Sequence, residues 1–409
     1  MGWYKELDTN GRRTFIASFG GWAIDALDFM VFTFVITALI NLWGIDRGHA
    51  GLLGTVTLLF SAIGGWGAGI LADRYGRVRI LQLTILWFSV CTVAIGFTQN
   101  FEQIFVLRAL QGLGFGGEWA VGSVLMGEII RAKDRAKAVG TVQSGWAIGW
   151  GLAAILYTVA FSIFPEDLAW RTLFWVGVLP AFLVLYIRKH VPEPEIYTKT
   201  QARIAKENNR VSAWAIFSPA LLKTTILTSL LCAGVQGGYY AVTTWLPTYL
   251  KTERHLSVLN TGGYLLVIIA GSFCGYIAGA HLADRIGRKM NFILFAVLSC
   301  ICVYAYTQIP LTDAQMLICG FPLGFAASGI FGGMGAYLTE LFPSELRANG
   351  QGFAYNFGRG IGALFPSLVG YLSQTMGLAA AIGIFAGGAY VVVLIATVLL
   401  PETKGRVLE

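Results

Sequence analysis

Charge is what this chain lacks. Asp, Glu, Lys and Arg make up only 12% of its 409 residues, about half of the roughly 25% that a soluble domain carries. Most of its exterior therefore needs an apolar solvent, and a water-soluble fold is excluded. Histidine is scarce: His49, His190, His255 and His281 are scattered, with no serine/histidine, metal-binding or phosphate-loop constellation around them. That argues against an enzyme and against a resident metal or cofactor. The six cysteines lie in apolar stretches without ligand or disulfide-framework spacing, so they read as packing residues. The polar N-terminus leads directly into an apolar segment without a processing site, so the first span is expected to be retained.

What is present is 56% hydrophobic residues, arranged in about twelve windows long enough to cross a bilayer. They fall near 14–40, 50–72, 80–98, 102–126, 137–163, 170–188, 220–248, 258–282, 291–309, 314–337, 350–372 and 379–400. The net charge of +7 does not point to nucleic acid, because Lys and Arg sit in short clusters between apolar runs. Alternate loops collect them. Arg12 and Arg13, Arg74 to Arg79, Arg131 to Lys137, Arg188 and Lys189, Arg285 to Lys289, Arg347 and Lys404 fall on one side; Arg47, Arg171, Lys251 and Arg254 fall on the other. Cytoplasmic loops are the basic ones, so both termini are expected in the cytoplasm, with the lipid bilayer as the surrounding partner. The longest polar stretch divides six spans from six. This gives an N-terminal bundle over 1–189, a cytoplasmic linker over 190–217 whose surface segments could be amphipathic, and a C-terminal bundle over 218–409.

The halves repeat each other. LADRYGR at 71–77 returns as LADRIGR at 282–288, and the seven-residue spacing of Glu128 and Arg135 returns in Glu340 and Arg347. The expected fold is all-α and polytopic, with twelve transmembrane helices in two pseudo-symmetric six-helix bundles. Such repeats place a binding cavity between the halves near the midplane, exposed to each side in turn by rocking.

GILADRYGRVR at 69–79 with its copy at 280–289, RALQGLG at 108–114 and ELFPSELR at 340–347 resemble the major facilitator superfamily over essentially the whole chain. WYKEL at the start, DALD in the first span, GFGGEW at 114–119, WLPTYLKT at 245–252 and YNFGRGIGALFP at 355–366 are similar to the sialate/proton and aromatic acid/proton symporters, which usually carry DGFD in place of DALD. The resemblance implies a gate at the basic end built from Asp73, Arg77, Glu128, Arg135, Asp284, Arg288, Glu340 and Arg347. In it, an Asp at one helix end meets the N-terminus of a neighbouring helix. It also associates Arg108, in R-x-x-Q-G, with proton movement. Lying about six residues from the outer end of its span, Arg108 has a position that favours a more peripheral role or an ion pair.

A mid-membrane charge costs about 2.5–3.5 kcal/mol on insertion scales, so Asp25, Asp28, Glu118 and Arg359 must face partners, water or a cavity. Asp25 and Asp28 share one helical face near the midplane. Two carboxylates so placed do not both ionise cheaply, which suits proton uptake and release; the alternative is a structural ion pair. Glu118 is either a buried proton site or half of a structural pair. Arg359, beside Tyr355 and Asn356 on a glycine-rich helix, offers a planar fork to a carboxylate or neutralises Asp25 or Asp28. Trp22, Phe29, Gln143, Trp146, Gln236, Tyr239 and Tyr240 are candidates to complete the cavity. Glycines at 140, 145, 149 and 151 mark the fifth span as a close-packing helix, and it lacks the G-P step of drug antiporters, which favours uptake.

The expected function is proton-coupled symport of a small organic anion, such as a sugar acid or an aromatic or aliphatic carboxylate, by alternating access. Protons are the coupling ion and there is no other cofactor. Rivals are an uncoupled facilitator or sugar-type porter and, from another class, a transport-fold sensor, for which the tails are short. The expected setting is a bacterial inner membrane, with the protein acting as a monomer.

Overall fold

The computed structural model describes residues 2–5, 7–129, 135–193, 198, 213–342 and 347–404. Among these, every regular element is helical. After a short turn at Gly2–Lys5, the first half contains α1 (Thr9–Trp43), α2 (Arg47–Tyr75), α3 (Arg77–Ile95), α4 (Phe101–Ile129), α5 (Arg135–Ile163), α6 (Glu166–Trp175) and α7 (Leu179–His190). A 3-10 turn at Val176–Val178 joins α6 and α7 into the sixth span. The second half contains α8 (Leu222–Thr252), α9 (Val258–Ile286), α10 (Arg288–Gln308), α11 (Asp313–Gly332), α12 (Met334–Leu341), α13 (Arg347–Gly362), α14 (Leu364–Met376) and α15 (Leu378–Leu399). α11 with α12 forms the tenth span, and α13 with α14 the eleventh.

Twelve spans therefore form two six-helix bundles. Eight helices among the described residues are long and apolar enough to cross a membrane. The fourth, sixth, seventh and eleventh spans fall outside that group for physical reasons. The fourth carries Arg108 and Glu118, the sixth is interrupted, the seventh is rich in threonine and glycine, and the eleventh is broken beside Arg359. Three of these four bring polar side chains to the bundle interface. Large apolar side chains such as Ile63, Val90, Ile318 and Val398 are exposed around the outside, where hydrocarbon is the solvent.

Side-chain caps start several helices. Asp8 accepts from the Gly11 N–H at 2.7 Å, and Thr312 forms a reciprocal capping box with Gln315 at the start of α11. Within the bundles α2 packs on α4 and α1 on α5, while α9 packs on α11 and α8 on α15. Between them α5 lies against α9, α2 against α13 and α14, and α1 against α8. Small residues set these distances. A Cβ on Gly116 would stand 1.7 Å from the Ser61 carbonyl oxygen, and one on Gly149 would stand 1.8 Å from that of Ala23 and 2.7 Å from the Ala26 Cβ. Ala26, in the DALD sequence, is thus accommodated by a glycine facing it. Gly116→Ala is expected to force α2 and α4 apart at a cost of about 1–3 kcal/mol, read as a lower unfolding temperature. An unchanged transition would show that the two helices do not touch there.

Candidate functional site

At the basic end the two halves are built alike. Gly76 and Gly287 adopt φ of 108° and 99°, and each ends one helix and opens the next. A glutamate seats on each helix start. Glu193 accepts from the Arg77 and Val78 N–H groups at 3.0 and 2.9 Å, and Glu402 accepts from those of Arg288 and Lys289, both at 3.0 Å. A side chain on either glycine would collide with its glutamate, with Cβ-to-oxygen distances of 2.6 and 2.8 Å. Both glutamates follow a proline, in PEPE at 192–195 and PETK at 401–404. That internal echo is the signal that sequence reasoning missed.

The carboxylate meeting the helix start in the second half is therefore Glu402, whereas Asp284 binds Arg288 at 2.7 Å. The Arg288 guanidinium also spans both oxygens of Glu340, at 2.8 and 3.1 Å. Arg77 is placed at the start of α3. The side chains of Asp73, Glu128, Arg135 and Arg347 lie outside the described residues. Burial pushes the Glu402 carboxyl up, but donation from the Lys404, Arg288, Lys289 and Thr403 N–H groups outweighs it and holds the group below the usual glutamate range. Its capping contribution is thus present above the unfolded-state pKa and is lost as pH falls through the folded one. Glu193→Gln and Glu402→Gln should each cost about 1 kcal/mol, the Glu402 effect fading in acid. Equal loss at every pH would contradict the charged-cap account.

The opposite end is closed across the bundles. Thr37 donates to Thr248 at 3.2 Å, the Ser367 N–H to Thr55 at 3.2 Å, and Gln374 to Asp46 at 2.9 Å. Arg47 pairs with Glu253 at 3.8 Å.

Between the two ends lie the buried charges: Asp25, Asp28, Glu118, Arg108 and Arg359 are all 6% exposed or less. Arg359 sits in the last turn of α13, where the partial negative charge of the helix end favours a cation. The guanidinium is held between the rings of Phe115 and Tyr355, 5.1 and 5.0 Å from their centroids. Its Nε donates to Gln236 at 3.3 Å and Nη2 to the Tyr355 hydroxyl at 3.4 Å. Gln236 is itself fixed by donating to the Tyr355 carbonyl at 2.9 Å. Nη1 has no hydrogen-bond partner among the described residues, nor does Oδ1 of the neighbouring Asn356. The aromatic candidates converge on the same place. Phe29 stacks on Phe115 at 5.3 Å and approaches Trp146 and Tyr240 at 5.9 and 5.7 Å. Trp22 meets Trp146 at 5.1 Å, and Trp146 donates across the interface to the Tyr239 hydroxyl at 2.7 Å. Gln143 is buried one turn before Trp146 on α5. Phe115, one turn before Glu118, is a wall residue that sequence reasoning missed.

The carboxyls of Asp25 and Glu118 lie within hydrogen-bonding reach of each other, with Asp28 and Arg359 close enough to act on Asp25 electrostatically. A bond between two carboxyls exists only when one holds a proton. Asp28 faces Thr92 and Glu118, with Gly177 close beside it. The Thr92 hydroxyl already donates to the Phe88 carbonyl at 2.9 Å and accepts from Gln111 at 2.7 Å. It therefore has a lone pair, but no hydrogen, left for Asp28. A proton on Asp28 would complete this arrangement.

Arg108 is not peripheral. It is fully buried, stacked over Phe32 at 4.0 Å, and donates to Gln111 at 2.8 Å and to the Leu53 carbonyl at 3.3 Å. A depth count along the helix missed this because α2 supplies its carbonyl partner and α1 its cover. A polar chain thus runs from Arg108 through Gln111 and Thr92 to Asp28, Glu118 and Asp25, and ends at Arg359.

Two repeated helical bundles enclosing a buried, charged and aromatic-walled site, with contacts between the halves closing one end, define a membrane carrier rather than an enzyme. The chain matches the Major Facilitator Superfamily over residues 17–314 and 267–407 and belongs to that family. It is 44% identical, over 100% of its length and 94% of the relative's, to a probable 4-methylmuconolactone transporter of Cupriavidus pinatubonensis. It is 31% identical to the cis,cis-muconate transport protein of Acinetobacter baylyi, covering 88% of this chain and 87% of that one. The fold matches the proton:xylose symporter XylE with a TM-score of 0.78 at 18% identity, over 98% of each chain.

Proposed function

We propose that this transporter carries a small organic anion together with at least one proton, inward across a bacterial inner membrane, with its basic end in the cytoplasm. The observation that carries the reading is the buried cluster in which Asp25 meets Glu118, Asp28 and Arg359. The free Nη1 of Arg359 is a ready donor for a substrate carboxylate, and charge-assisted bonds of this kind are among the strongest available. Relatives named for a muconolactone, muconate and sialic acid support an organic acid as cargo. The aromatic walls favour a flat, unsaturated or ring-bearing body.

Three carboxyls beside a single guanidinium would repel an incoming anion unless protons are bound first. Protonation before substrate binding is thus the favoured order, and release of both inside resets the site. One chain holds the whole pathway, so a monomer suffices. The test is accumulation of a labelled aromatic or lactone carboxylate by proteoliposomes under an inward proton gradient. Accumulation that collapses with a protonophore supports symport; equilibration without accumulation, indifferent to the protonophore, supports a facilitator instead.

A further inference from the structure

We propose that the site selects monocarboxylates against dicarboxylates and that Glu118 enforces the choice, an inference that rests on the organic-anion reading above. The two named relatives make this a real alternative: a muconolactone is a monoacid, since closing the lactone consumes one carboxylate, whereas muconate is a diacid. The geometry favours the monoacid. Among the described residues Arg359 is the cation that faces the aromatic walls, and two of its donor nitrogens are already engaged by Gln236 and Tyr355. The Tyr240 hydroxyl also lies against the guanidinium, and Nη1, which has no hydrogen-bond partner among the described residues, is the anchoring point for one carboxylate.

The other buried cation, Arg108, is turned away into the first bundle, held by Gln111, the Leu53 carbonyl and the Phe32 ring. A ligand body lying along Phe29 and Phe115 from Arg359 runs toward the paired carboxyls of Asp25 and Glu118. Glu118 follows Phe115 by three residues on α4, one turn further along the same face. A second carboxylate at that end meets the charge left on the Asp25–Glu118 pair, whose single shared proton does not offset it. A neutral lactone carbonyl or ring nitrogen there can instead accept the carboxyl proton, and a hydroxyl can donate to a carboxylate. Like-charge juxtaposition costs several kcal/mol, which corresponds to discrimination of at least about tenfold.

The test is equilibrium binding to the full-length purified protein in lipid nanodiscs, followed by calorimetry and thermal shift at neutral pH. The probes are nicotinate, muconolactone, cis,cis-muconate and the monomethyl ester of muconate. The expected result is binding of both monoacids, cis,cis-muconate weaker by about tenfold or more, and recovery of affinity in the half-ester, which keeps the carbon skeleton but removes one charge. In Glu118→Gln the gap between diacid and monoacid should narrow to within about threefold. Should that variant fail to fold, the half-ester decides the matter with the unaltered protein. Wild-type protein that binds the diacid as tightly as the lactone, or the half-ester as weakly as the diacid, overturns the proposal while leaving the anion reading intact. Failure of every acid to bind, or binding unaffected by Arg359→Gln, overturns both.

Discussion

Arg359→Gln is expected to reduce binding of a monocarboxylate by about thirtyfold or more, and Arg359→Lys to recover only part of it. Truncating one partner of a buried, hydrogen-bonded charge pair costs about 2–5 kcal/mol, and each 1.4 kcal/mol is tenfold in affinity. Lysine keeps the charge but not the planar fork, nor the sandwich between Phe115 and Tyr355 that aims Nη1. Isothermal titration with a saturable acid measures this directly. Because Arg359 also balances Asp25 and its neighbours, thermal unfolding of both variants should be recorded alongside. A folded Arg359→Gln protein with wild-type affinity would show that the guanidinium serves only the internal carboxyls.

Asp28→Asn is expected to abolish uphill uptake while preserving exchange of labelled for unlabelled substrate. The asparagine amide presents a donor where a protonated aspartate would present its hydroxyl, so the Thr92 lone pair is satisfied permanently and the proton step is removed. A coupled carrier gains about a factor of ten in accumulation per pH unit for each proton moved, and the variant should lose that factor. Asp25→Asn should behave similarly with respect to accumulation. It also removes a charge that acts on Arg359, so a change in substrate affinity is expected as well. Full accumulation in both variants would mean that neither carboxyl carries the coupling proton.

Most of this architecture was legible in the sequence because its causes are local. Apolar windows of sufficient length, the alternation of Lys and Arg, and the echo of LADRYGR in LADRIGR specify twelve helices in two related halves without any tertiary information. The residues of the site were legible for the same reason, since Asp25, Asp28, Glu118 and Arg359 are anomalies in a hydrocarbon setting. Their grouping was not. Spacing along α1 placed Asp25 and Asp28 on one face, but only the packing of α3 and α4 shows that Asp28 meets Thr92 while Asp25 meets Glu118. Arg108 was misjudged because depth along one helix does not reveal a neighbouring helix covering it. Glu193 and Glu402 were overlooked because a glutamate in a polar linker or tail looks solvated until a helix start more than one hundred residues away in sequence is placed against it. Phe115 looked like ordinary packing until the guanidinium was found over its ring.

The account requires that a hydrogen ion travels with the organic acid. Proteoliposomes holding the purified protein, with no initial gradient of pH or voltage, should show alkalinisation of the external medium when an aromatic or lactone monocarboxylate is added outside, in proportion to the label taken up. The Asp28→Asn protein should take up label to equilibrium with no pH change. Entry of the acid anion into wild-type vesicles without any proton movement would contradict the account at its centre.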